Sequence, residues 1–181
     1  NTALTVSGFA EVGHRGCLIE IELTASTPHE NFSRTIADWP MSSPFAAPAA
    51  VRAGNFIFYS GILGINKDCR IVTEPKDFDL APEIPEGLLS KIGEYAEVSH
   101  QSWAALHLLS KISQDIGSSM NDLVKITVYL ENSASFSIFE RMLLRLVPKE
   151  NLPAVECVII PNPGPIPGAQ IQFEAIGWGG K

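Results

Sequence analysis

Clustered cysteine is missing from this chain: Cys17, Cys69 and Cys157 are odd in number and far apart, with no CxxC and no His/Cys cluster. That spacing argues against a disulfide framework and a structural zinc site, and leaves buried free thiols in a reducing compartment as the expectation. Clustered positive charge is missing too. Lys and Arg number 13 against 20 Asp and Glu, a net charge of -7, so nothing here would release counterions from a phosphate backbone or an anionic membrane. Nucleic acid and membrane are therefore not expected as partners; a small-molecule ligand or proteins are. No apolar run approaches bilayer-spanning length and no basic segment followed by an apolar one opens the chain, which points to the cytoplasm. A Gly-rich phosphate loop is also lacking: "NPGPIPG" (162–168) spends on proline the N–H donors such a cradle needs. No metal and no cofactor is expected.

The chain is nonetheless 45% hydrophobic over 181 residues, enough to close a core. "FIFYSGILGI" (56–65) is β-rich, follows the turn signal "AGN" and reads as a central strand. "TEPKDFDLAPEIPEG" (73–87), with three prolines and five acidic residues, reads as a surface loop, part of an insertion near 73–96. In "EVSHQSWAALHLLSKISQDIG" (97–117), Val98, Ser102, Ala105, Leu109, Ile112 and Ile116 fall at helical spacing, and Gly117 caps the end. "LVKITVYL" (123–130) alternates, with Val124, Ile126, Val128 and Leu130 on its expected buried face. "SFSIFERMLLRLV" (135–147) returns to helical period through Phe136, Phe139, Leu143 and Leu146 until Pro148. A closing strand pair follows, so the order of elements predicts an α+β domain with helices on one face of a mixed sheet.

Residues 1–25 follow another logic. "CLIEIELTA" (17–25) repeats the pattern of "QIQFEAIGW", with Ile19, Ile21 and Glu22 matching Ile171, Phe173 and Glu174. We read 1–25 as a strand pair (3–7 with 17–24) like the tail of a preceding repeat, 26–50 as a linker and entry segment, and 51–181 as the domain proper. The opening Asn in place of Met leads us to expect a fragment or a processed product.

"VRAGNFIFYSGILGI", the helix 97–117, "MNDLVKITVYLENSASF", "LPAVECV" and "QIQFEAIGW", in this order and spacing, resemble the YjgF/RidA family of reactive-intermediate deaminases. The resemblance implies a chorismate-mutase-like α+β fold, a homotrimer with clefts between subunits, and hydrolysis of enamine and imine intermediates to ketoacids. In active members an arginine of a Pro-Ala-Arg motif grips the substrate carboxylate and a carboxylate on the last strand positions water. Carried across, the arginine position is Val155, the water-positioning carboxylate is Gln172, and a pocket asparagine on the second helix becomes Glu140. The entry-segment tyrosine has no counterpart among Phe45, Ala46 and Ala47, whereas Ser60, Gly61 and Cys157 match. The ligand-pocket candidates are thus Ser60, Gly61, Glu140, Val155, Cys157 and Gln172, with no catalytic residue among them.

Other residues have plainer readings. Glu174 reads as a catalytic carboxylate displaced by one register, but adjacent strand positions face opposite sides of the sheet, so an interface or capping role is expected instead. His100 and His107 lack a third ligand and read as packed or solvent-facing; Trp103 and Trp178 read as packing or interface residues. Missing its arginine, the chain is expected to be a non-deaminating module for oligomerisation, as a trimer or a pseudo-trimer of tandem repeats, or for partner docking or ligand sensing. Similar tandem domains follow the ligase domain of eukaryotic diphthine–ammonia ligases, an ATP-dependent parent that would suit it. The alternative is a stand-alone deaminase or hydrolase with a remodelled pocket. Ribonuclease activity has least support, since the chain is acidic and has no His/Lys/Arg cluster.

Overall fold

The computed structural model describes residues 2–8, 33–41, 45–85, 88 and 93–179. Six strands and two helices follow in the order β1 (Arg34–Ala37), β2 (Ala50–Ala53), β3 (Phe56–Leu63), α1 (Gly93–Asp115), β4 (Leu123–Leu130), α2 (Phe136–Leu146), β5 (Ala154–Ile159) and β6 (Ile171–Trp178). They build one mixed sheet of order β1-β2-β3-β6-β4-β5, in which only β4 and β5 run parallel. The entry segment thus contributes β1 to the sheet. The closing strands are not a hairpin: the crossover through α2 lays β5 outside β4, and β6 runs between β3 and β4, antiparallel to both.

Both helices cover one face. Ile57, Tyr59, Ile62, Ile126, Val128, Ile171, Phe173 and Ala175, paired in register across β3, β6 and β4, are buried beneath them. All six residues predicted to form the inner stripe of α1, from Val98 to Ile116, are buried. The helix begins at Gly93, inside the segment read as insertion. It ends where Gly117 turns left-handed at φ 71°, and Arg52 donates from Nη2 to the carbonyls of Ile116 at 2.9 Å and Gly117 at 3.1 Å. On α2, Ile138, Phe139, Met142 and Leu143 face inward, with Phe139 5.7 Å from Phe173 between ring centroids.

Val124 departs from its expected place in the core. A register shift between Leu123 and Lys125 turns it outward, 48% exposed, and Leu123 takes the buried position. Cys157 is exposed and Cys69 half-buried, so neither is the buried thiol expected; Cys17 lies outside the described residues. His100 and Trp103 pin the acidic segment to α1, His100 Nδ1 lying 2.7 Å from Thr73 O and Trp103 Nε1 donating to Pro82 O at 2.7 Å. Of the proposed N-terminal strand pair, 17–24 lie outside the described residues. Residues 2–8 run extended, with a single antiparallel bridge among the described residues, from Gly8 to Asn162. Among the described residues no helix is long and apolar enough to cross a membrane.

Candidate functional site

The β3–β6 register shifts between Tyr59 and Ile62, and Ser60 and Gly61 occupy that irregularity. Such a bulge re-aims the groups it carries. Ser60 Oγ donates to Pro48 O at 2.6 Å and accepts the Leu4 N–H at 2.8 Å, while the Gly61 N–H donates to Leu4 O at 2.9 Å. Gly61 is required by space: an added Cβ would overlap the Gln172 amide and come within 3.1 Å of Thr5 Cγ2.

Gln172 is only 2% exposed. One end of its amide faces Val6 O at 2.9 Å, Ser7 Oγ at 3.0 Å and Pro163 O. Carbonyl oxygens can only accept, so this end is assigned as the nitrogen. Ser7 Oγ in turn donates to Pro163 O at 3.3 Å. Ser60, Gly61 and Gln172 are therefore brought together, and residues 4–7 lie across them. The cavity left beside them, lined by Leu4, Val6, Trp39, Phe45, Ala47, Gly61, Pro165 and Gln172, measures about 30 Å³. That is space for a water molecule, not a substrate. Trp39, Phe45 and Ala47 also line a recess of about 250 Å³ with Asp38, Met41, Ala46 and Pro48.

The remaining candidates lie elsewhere. Val155 and Cys157 pair with Ile126 and Val128 on β4, and so point to the helix-bearing face at the open edge of the sheet, where Val155 is 37% exposed. Gln172, paired with Tyr129, points to the opposite face. Glu140 is exposed on α2, opposite the buried stripe of that helix. Within one chain the six candidates do not form one pocket.

Two residues gain importance from the geometry. Glu174 follows Gln172 by two positions, so it shares the helix-free face rather than opposing it, and its Oε1 accepts from Tyr129 Oη at 3.2 Å. The period of two was legible in "QIQFE" and is the signal that places it. Gln101 gave no such signal. Buried on α1, it donates to Gly168 O at 3.0 Å and accepts from Gln170 N at 2.8 Å, holding the loop that carries Pro163 and Pro165 over the site. Among the described residues no group of His, Cys, Asp and Glu could hold a metal ion.

Residues 40–176 match the family model for endoribonuclease L-PSP. The chain belongs to that family. Solved structures of the RidA type share the fold of this L-PSP domain. The yeast protein YEO7 matches with 18% identity and a TM-score of 0.59 over 81% of this chain and 98% of its own. RidA from the Antarctic bacterium Psychrobacter matches with 22% identity and a TM-score of 0.57, over 80% and 98%. A proposed endoribonuclease of Klebsiella pneumoniae reaches 27% identity and a TM-score of 0.61, over 72% and 97%. No curated protein matches the sequence.

Proposed function

We propose that this L-PSP domain is a non-deaminating binding and oligomerisation module. The observation that carries the reading is the occupancy of its polar groups: Ser60, Gly61 and Gln172 each have a hydrogen bond to residues 4–7, and Ser60 and Gln172 are further bonded to the carbonyls of Pro48 and Pro163. Val155 supports it from the other side of the sheet. A guanidinium there would give charge-assisted bonds to a carboxylate, each worth roughly 1.5–3 kcal/mol, and an isopropyl group gives none. Glutamine at 172 can orient water but cannot take its proton, a loss of about 10² to 10⁴ in rate where a general base is needed. The test is a coupled assay in which a dehydratase generates 2-aminoacrylate and ketoacid release is followed. No acceleration is expected; release within tenfold of an active relative overturns the reading.

The same proposal extends to assembly and setting. Copies of the chain associate, as a trimer or as a pseudo-trimer of tandem repeats, in the cytoplasm. A parent of the ATP-dependent diphthine–ammonia ligase type is favoured by the repeat-like pattern within 1–25, the insertion near 73–96 and the missing arginine at Val155. An in-frame ligase domain encoded upstream of Asn1 supports that parent, and a start codon adjacent to it overturns it. Glu174 favours a second reading, a hydrolase with a remodelled pocket, because its carboxylate faces the same side as Gln172 and is oriented by Tyr129. Under that reading Glu174→Gln abolishes whatever hydrolysis the coupled assay detects.

A further inference from the structure

Residues 2–8 are bound much as a peptide ligand is bound. The Leu4 N–H meets Ser60 Oγ at 2.8 Å and the Leu4 carbonyl accepts from Gly61 N at 2.9 Å. The Val6 carbonyl faces the Gln172 amide at 2.9 Å, and the Gly8 N–H reaches Asn162 O at 2.9 Å. Most of these bonds address main-chain groups, which every peptide carries. Side chains are sorted by alternation: Ala3, Thr5 and Ser7 are half-buried, whereas Leu4 and Val6 are 56% and 50% exposed and border the small cavity. Inward positions take small residues because Thr5 Cγ2 already lies close to the bare backbone of Gly61. Main-chain bonds for affinity and alternate side-chain pockets for selection are the two elements of strand-type peptide recognition. Among the described residues the segment makes one bridge and no continuous ladder, as readily opened segments do.

We propose that the cleft beside the β3 bulge is a peptide-binding groove for an extended segment with small residues at alternate positions, and that residues 2–8 are the occupant supplied by this chain itself. A partner carrying such a segment binds by displacing them. The groove works whether or not the domain hydrolyses imines.

The test uses the full chain, isotopically labelled, and a synthetic peptide of residues 1–8, NTALTVSG. In the Leu4→Pro variant the segment loses its N–H to Ser60 Oγ and leaves the groove, so exchange protection at Gly61 and Gly8 falls. The peptide then binds that variant roughly tenfold or more tighter than the parent chain, with shifts at the Gly61 amide. A peptide with Phe at its fifth position does not bind. Equal binding of the two peptides, or no shift at Gly61 at millimolar peptide, overturns the proposal. So does unchanged protection of Gly61 and Gly8 in Leu4→Pro, since main-chain bonds would then not be what holds the segment. Dimerisation of Leu4→Pro without peptide binding assigns the groove to a second copy and likewise overturns it.

Discussion

At the scale of the residue, the amide of Gln172 decides what its position tolerates. Its nitrogen meets the carbonyls of Val6 and Pro163 in a place only 2% exposed. A carboxylate there faces two acceptors and has little water. Gln172→Glu is therefore expected to destabilise the fold by about 1–3 kcal/mol at neutral pH. Burial raises the folded pKa of the introduced acid above its unfolded value, so the loss is full above the folded pKa, fades as pH falls from the folded to the unfolded pKa, and is gone below the unfolded one. Urea unfolding at pH 4 and pH 7 checks this; equal losses at both contradict it. Within one chain the substitutions Val155→Arg and Gln172→Glu place their groups on opposite faces of the sheet. His107 gives a second pH effect. Burial lowers its pKa from 6.5, its Nε2 lacks a partner among the described residues, and its ring packs on Trp103 at 4.4 Å between centroids. The unfolded chain then binds the extra proton first, and stability falls as pH drops below about 6.5 until the folded pKa is passed. His107→Phe keeps the ring contact and should flatten that part of a melting-temperature profile between pH 5 and 8.

At the scale of the element, Arg52 joins three pieces of chain. Its guanidinium donates to Ile116 O and Gly117 O at the end of α1 and to Gly179 O at 3.2 Å, just past β6. The carbonyls of Ile116 and Gly117 lie at the negative end of a helix dipole, so Arg52→Ala should cost about 1–2 kcal/mol. Arg52→Lys keeps the charge without the planar fork and should recover only part of it, read by chemical denaturation. Nothing in "VRAG" announces this role, because the partners of Arg52 are main-chain atoms distant in sequence. By contrast α1, β4 and α2 were legible because periods of 3.6 and 2 are imposed locally by which face is buried. Val124 fails that rule because register is a property of the strand pair. The position of β5 was hidden for the same reason: strand order is fixed by the crossover through α2, which alternation within β5 does not encode. Ser60, Gly61 and Gln172 could be located by motif, but their occupancy by residues 4–7 could not.

At the scale of the whole molecule, the sheet has one face covered by helices and one that is not. On the uncovered face Phe56 is 46% exposed, Trp178 43% and Ile36 39%, and the first two stack edge to face at 4.8 Å. Exposed aromatics contiguous on a sheet are unusual for a monomer and suit an interface between copies. If copies meet there, Trp178→Asp separates them, because a carboxylate buried against apolar surface pays its desolvation without a partner. The isolated chain should tolerate the change within about 0.5 kcal/mol, since the side chain is already largely in water. The measurement is sedimentation of both proteins at micromolar concentration beside their circular dichroism. An oligomer for the parent and a folded monomer for Trp178→Asp are expected. A monomeric parent sinks the association itself, and a variant that stays oligomeric moves the interface to another surface, the open edge of β5 with Val155 and Ile159 being the next to test.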